Sequence, residues 1–123
     1  YIINISKELL SEVLENEVVK FKIVSTKRIT QIRIWYKDTE WHMYESWDIY
    51  HLAHKCKEWA LSKGHYISLI IDEDDKTKCR YVLNLSWNDG YEVDFVLASE
   101  PYDTETEAIF KACEYIMENK CGR

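Results

Sequence analysis

Glycine and proline are scarce in this sequence, with three Gly and one Pro among 123 residues. A P-loop or a GxGxxG turn needs closely spaced glycines to bring the backbone against phosphate groups. Neither motif occurs, and the GxSxG turn that presents a nucleophilic serine is absent too. The same scarcity argues against long loops or disorder. We therefore expect a folded chain that is not an enzyme.

Motifs for metal and redox chemistry are also missing. The four cysteines, Cys56, Cys79, Cys113 and Cys121, contain no CxxC pair, so the sequence predicts no metal site and no cofactor. Cys56 and Cys113 lie on the apolar stripes of predicted helices, which indicates small buried thiols. The sequence has neither a signal peptide nor an apolar run of about 18 residues. These absences predict no membrane partner and a reducing, cytoplasmic location.

Aromatic residues and acidic charge are abundant. The chain has five Trp and nine Tyr, and its 22 acidic and 16 basic residues give a net charge of −6. Such a charge disfavours direct contact with nucleic acid and suits a basic partner, such as the nucleic-acid-binding surface of another protein. A solvated acidic surface without any partner is the simpler interpretation.

The periodicity of apolar residues predicts three helices and five strands. Expected N-caps are Ser6 for the first helix, either Ser46 or Asp48 for the second, and either Asp103 or Thr104 for the third. Gly64 is the expected left-handed residue after the second helix. The predicted helices span 6–16, 49–63 and 104–119, and the predicted strands span 18–24, 29–36, 65–71, 81–87 and 91–97.

The order α-β-β-α-β-β-β-α predicts an α+β fold in a single domain spanning 1–123. We expect a mainly antiparallel five-stranded sheet packed by helices, a layered α/β sandwich with one polar strand face. Alternation places Val19, Phe21 and Ile23 on the core face of the first strand. The apolar strand over 65–71 is expected near the sheet centre, and residues 37–47 are expected to form an irregular connection.

Three segments give the chain a family resemblance: ISKELLSEVL, WDIYHLAHKCKEWALSKGHYI and TETEAIFKACEYIMEN. Together they resemble the small phage and prophage proteins grouped as the phage ABA-sandwich domain. The closing helix of those proteins opens with Thr and continues Ala-Ile-x-x-Ala, which here corresponds to Thr106, Ala108, Ile109 and Ala112. The resemblance implies helices on both faces of the sheet and a phage origin, and hence action in a host cytosol. It implies no catalytic residues.

An aromatic cluster surrounds the start of the central helix. Tyr36 and Trp47 are expected in the core, where the sheet and the helix meet. Trp35, Trp41 and Tyr44 are the candidates for an interface with a partner, because large exposed aromatic side chains often mark binding surfaces. A second copy of this chain would serve as that partner equally well.

Acidic residues are a second class of candidates, and they occur in two places. The first place is a predicted hairpin tip that could contact a basic groove, and it lacks the Gly and the distant Glu of a calcium loop. Another is a pair on one strand face, which resembles a catalytic carboxylate pair but is more typical of a wet sheet face. The tip consists of Asp72, Glu73, Asp74 and Asp75, and the pair consists of Glu92 and Asp94.

Two histidines on the central helix, His51 and His54, could bind a metal together with Glu58. Their spacing differs from HExxH, and partly exposed helix histidines are the simpler interpretation. We therefore predict no metal ligand among them.

Three functions fit these observations. The first is a small acidic phage-type binding protein that inhibits a host defence machine by occupancy, as an anti-CRISPR protein does. The second is a sponge for a nucleotide signal, which would need cations to meet phosphates. The third is a homodimeric or larger structural module. The cations available to the second function are Lys20, Lys22, Arg33 and Arg80.

Overall fold

A computed structural model describes residues 5–38, 43–86 and 92–119 of the chain. Within these ranges three helices and six strands form an α+β arrangement, and no helix has the length and apolar character to cross a lipid bilayer. The elements in chain order are α1 (Lys7–Leu14), β1 (Val18–Ser25), β2 (Thr30–Tyr36), β3 (Glu45–Asp48), α2 (Ile49–Ser62), β4 (His65–Ile71), β5 (Cys79–Ser86), β6 (Glu92–Ala98) and α3 (Glu105–Asn119).

The described strands form two antiparallel sheets of three strands, not the single five-stranded sheet that was predicted. The first sheet has the order β1-β2-β3 and the second has the order β4-β5-β6. The prediction missed β3 because a strand of only four residues is too short to show alternation. The helix α2 begins at the residue directly after β3, so the chain leaves the first sheet at that point. The strands of the second sheet, β4 to β6, follow after α2.

The strand β4 lies at an edge of the second sheet, so its predicted central position is wrong. Its side chains His65 and Ile67 are buried, whereas Tyr66, Ile70 and Ile71 are exposed. A mainly apolar run is typical of a strand covered on both faces, but it does not exclude an edge strand with one covered face.

The strand β1 begins with an irregularity that changes which side chains face the core. Its pairing with β2 shifts register between Val18 and Lys20, as in a β-bulge. Val18 is buried and Val19 is exposed, so the prediction of Val19 on the core face is wrong. After the shift Phe21 packs against the core, as predicted.

The three helices connect the two sheets through one core. The helix α2 contacts β2 and β3 of the first sheet and β4 of the second. The helix α3 packs on α2, β4 and β5, while α1 packs on β1 and on both other helices. The largest fully buried side chains include the two predicted thiols; they are Phe110, Leu9, Leu10, Ile32, Ile34, Ile49, Leu52, His65, Thr106, Cys56 and Cys113.

Side-chain caps fix where the helices begin. Ser6, Asp48 and Thr104 each accept a hydrogen bond from a backbone amide in the first turn of α1, α2 and α3 respectively. These contacts confirm Ser6 as a cap, and they select Asp48 over Ser46 and Thr104 over Asp103. After α2, Gly64 has a φ of 89°, which confirms the predicted left-handed position that glycine adopts without steric strain.

Candidate functional site

The side of the first sheet that points away from the core carries cations and aromatic rings. On β2 the side chains on either side of Arg33 and Trp35 are buried, so these two point outward. Strand pairing places Lys20 opposite Trp35 and Lys22 opposite Arg33. Tyr44 precedes β3, and its ring contacts Trp35. We call this surface the outer face, defined by Lys20, Lys22, Arg33, Trp35 and Tyr44.

The cations and rings of the outer face are paired with one another. The Lys20 ammonium lies 4.6 Å from the centroid of the Trp35 ring, and the Arg33 guanidinium lies 4.9 Å from that of Tyr44. The two ring centroids are 5.3 Å apart. Each cation–π contact at an exposed site contributes about 0.5–1 kcal/mol. These contacts hold the groups in place, yet Tyr44 stays 46% exposed.

The outer face is basic although the chain is acidic. Residues 18–36 contain five of the 16 Lys and Arg residues and none of the 22 Asp and Glu residues. Besides the three cations of the outer face, Lys27 and Arg28 are exposed at the β1–β2 turn. The net charge of −6 is therefore distributed unevenly. The total charge does not show this segregation, although the sequence of residues 18–36 does.

A carboxylate on the opposite side of the sheet fixes β3 against β2. The Tyr36 hydroxyl donates to Glu45 Oε1 at 2.8 Å, and the Trp47 indole nitrogen donates to the same oxygen. Burial and the adjacent Glu45 raise the pKa of Tyr36 above its ordinary value, and a tyrosine hydroxyl is already a donor at neutral pH. Tyr36 and Trp47 pack into the core as predicted. Because Tyr44 is next to Glu45, this contact also positions its ring beside Trp35.

The acidic tip between β4 and β5 is an ordered turn with a buried carboxylate. Asp72 Oδ1 accepts a hydrogen bond from Arg80 Nε at 2.5 Å, and its Oδ2 accepts one from the Asp75 amide at 3.0 Å. Arg80 also donates to the Ser99 carbonyl at 2.7 Å. Arg80 therefore has a structural role. Of the four cations that could bind a nucleotide, only Lys20, Lys22 and Arg33 share a surface.

The remaining acidic candidates differ in exposure. Glu73 and Asp74 are exposed at the turn, whereas Asp75 accepts hydrogen bonds from Thr77. The strand β6 contains Glu92 and Asp94, but their side chains lie outside the described part of the structure, as does all of Trp41.

The predicted aromatic and acidic candidates do not form one surface. Trp35 and Tyr44 meet on the first sheet, while the acidic turn and β6 belong to the second. In the described part of the chain, no strand of one sheet contacts a strand of the other. The chain thus presents a basic aromatic surface and, separately, an acidic turn.

The role of Asp72 predicts how stability depends on pH. The hydrogen bond from Arg80 lowers the pKa of Asp72 below its ordinary value, so the carboxylate stabilises the folded chain above about pH 4 and loses this effect as pH falls further. We expect Asp72→Asn to lower the melting temperature at pH 7 and to flatten its decline below pH 4. Thermal unfolding from pH 7 to pH 3 checks this, with Asp74→Asn in the same turn as control. Equal melting temperatures for both variants at pH 7 would contradict the structural role.

The two helix histidines make separate contacts. The His51 ring meets Trp47 edge to face at a centroid distance of 5.1 Å, and His54 Nε2 lies 2.9 Å from Glu58 Oε1. Across residues 5–38, 43–86 and 92–119, no three His, Cys, Asp or Glu side chains are grouped so as to hold a metal ion.

The cysteines within the described ranges are poorly placed to act as nucleophiles. Cys56 and Cys113 are buried, and Cys79 is half-buried. Contact with Cys56 and burial raise the pKa of Cys113, and burial raises that of Cys79. A raised pKa keeps a thiol protonated, whereas the thiolate is the reactive form.

A shallow groove between α1 and α2 contains three carboxylates, from Glu12, Glu15 and Glu58. Glu12 lies 3.8 Å from the Lys63 ammonium, and Glu58 pairs with His54. Because two of the three carboxylates already have side-chain partners, the groove is a weaker candidate than the outer face.

The chain matches no protein-family model, no curated protein and no solved structure. The resemblance to the phage ABA-sandwich proteins therefore stays a prediction, and the functional inference rests on the surfaces described above.

Proposed function

We propose that this chain is a non-catalytic binding protein that occupies a partner through the outer face of its first sheet. The observation that supports this is the pairing of Lys20 with Trp35 and of Arg33 with Tyr44 on a solvent-accessible sheet surface. Aromatic and Arg side chains dominate binding energy at protein surfaces. Because these groups are already held together, little side-chain freedom is lost when a partner binds.

Such a protein acts by occupancy, which means that it covers a surface of its partner. The basic surface attracts a negatively charged partner and speeds encounter, and burial of the two rings slows release. In the biological form predicted from the sequence, the partner belongs to a host defence machine and the chain inhibits that machine. The nucleotide-sponge alternative would use the same three cations.

A second candidate function uses the acidic turn instead. Glu73 and Asp74 are exposed there, so they could meet the basic nucleic-acid-binding surface of a host protein, the partner predicted from the total charge. This candidate and the first place the partner on different sheets, which makes them distinguishable.

Site-specific photo-crosslinking tests the proposal. A benzophenone amino acid replaces Lys22 on the outer face in one variant and Glu73 on the acidic turn in a matched control, and each variant is irradiated in a bacterial lysate. We expect crosslinks from position 22 and none from position 73. Crosslinks from position 73 alone would favour the second candidate. Crosslinks only to other copies of the chain would favour the homodimeric module, and crosslinks from neither position would contradict both binding proposals.

A further inference from the structure

We propose that the outer face binds single-stranded nucleic acid, with a base stacked on the aromatic rings and phosphates held by Lys20, Lys22 and Arg33. This inference rests on the proposed use of the outer face and names the partner's chemistry. The total charge predicted no direct contact with nucleic acid. The local charge of β1, β2 and their turn supports the opposite expectation, because these residues include five Lys or Arg and no Asp or Glu; the third strand of the sheet, β3, adds Glu45 and Asp48.

The rings supply a platform for an unstacked base. Trp35 lies on β2 and Tyr44 precedes β3, and their ring centroids are 5.3 Å apart with an angle of 53° between the ring planes. At this angle one base stacks on one of the two rings. Tyr44 is 46% exposed and Trp35 is half-buried. Aromatic side chains on sheet surfaces bind bases by stacking, with little dependence on sequence because every base has a π face.

The cations are placed to meet phosphates next to such a base. Lys20 faces Trp35 across the strand pair, and Lys22 faces Arg33. Arg33 and Trp35 are two residues apart on β2, which corresponds to roughly 7 Å along a strand. The three cations thus lie within a short distance of the two rings, and the exposed turn between β1 and β2 extends the basic surface.

The chemistry favours a single strand over the other polyanions. A duplex keeps its base faces inside the stack, so only its phosphates could use the outer face. An acidic polypeptide would satisfy the cations but offers no regular series of π faces to the two rings. No Asp or Glu occurs in residues 18–36, so no carboxylate of these two strands or of their turn repels a phosphate.

Titration of fluorescein-labelled oligo-U and oligo-dT of about twelve nucleotides, a length within the range of known single-strand sites, tests the inference at low salt. We expect saturable binding with quenching of tryptophan fluorescence. If three cations meet phosphates, the logarithm of affinity should fall against the logarithm of salt concentration with a slope of about −2. Trp35→Ala should weaken binding about tenfold, since stacking of one base carries roughly that effect.

Two further variants keep the test decisive. Tyr66→Ala removes an exposed tyrosine from the second sheet and should leave binding unchanged. Arg33→Gln removes one cation of the outer face and should make the salt slope shallower by about 0.7. It serves in place of Trp35→Ala if that variant fails to fold, as judged by circular dichroism.

Three results would overturn the inference: no saturable binding at low salt, equal binding of poly-glutamate, or full binding by both outer-face variants. A duplex that binds as well as the single strands would exclude the stacking role of the rings. If position 22 still crosslinks to a protein after nuclease treatment while the oligonucleotides fail to bind, the proposed function stands and this inference falls. Failure of both experiments would remove the outer face as a binding surface.

Discussion

The double variant Lys20→Glu, Arg33→Glu is expected to lose partner binding while remaining folded. Both side chains lie over aromatic rings of the outer face, so their replacement puts carboxylates where an anionic partner must approach. A hydrogen bond to a charged group contributes about 1.5–3 kcal/mol. Loss of two such contacts should therefore lower affinity on the order of a hundredfold or more.

Folding should change much less than binding in this variant. The two cation–π contacts at this exposed surface contribute about 0.5–1 kcal/mol each, which is a small part of a typical domain's stability. The matched control is Lys55→Glu, Lys76→Glu, which makes the same change in net charge at exposed sites outside the first sheet. Equal weakening by the two double variants would show that binding responds to total charge and not to the outer face.

A leucine in α2 is expected to matter most for stability. Leu52 is fully buried on the helix that contacts both sheets. The variant Leu52→Ala leaves a cavity there and should reduce the free energy of unfolding by about 2–5 kcal/mol. The melting temperature should fall on the order of 10 °C.

The same helix provides the control for this prediction. Leu61 is 54% exposed, and Leu61→Ala should change the free energy of unfolding by less than about 0.5 kcal/mol. Hydrogen exchange measured alongside should show both sheets losing protection together in Leu52→Ala, because α2 connects them. Protection lost from one sheet only would mean that the sheets unfold as separate units.

Local features of the fold were predictable from the sequence. The cap at Ser6, the left-handed position of Gly64 and the β1–β2 hairpin each depend on a few adjacent residues. The division into two sheets was not predictable in this way. It depends on β3, which pairs with β2 through only four residues, and on which strands neighbour one another in space.

The candidate site was predicted in part. Trp35 and Tyr44 were predicted to be interface residues because large exposed aromatic side chains often mark binding surfaces, and the two rings meet on the outer face. Their association with Lys20 and Arg33 needed the register of β1 against β2. The alternation of basic and apolar residues from 18 to 36 was the available signal, and the total charge obscured it.

One carboxylate of the acidic turn is less exposed than the sequence predicted. Four consecutive carboxylates predicted an exposed tip, yet Asp72 is buried and bound to Arg80, which also reaches the Ser99 carbonyl. The partner of Asp72 is on the next strand and the second partner of Arg80 follows β6, so the composition of the turn alone could not separate Asp72 from the exposed Glu73 and Asp74.

The most direct measurement compares two opposite charge reversals against the same ligand, the molecule that crosslinks to position 22. One variant is Lys20→Glu, Arg33→Glu on the outer face, and the other is Glu73→Lys, Asp74→Lys on the acidic turn. We expect the first to lower affinity on the order of a hundredfold and the second to leave it nearly unchanged. Unchanged affinity in the first variant and lost affinity in the second would contradict binding through the outer face.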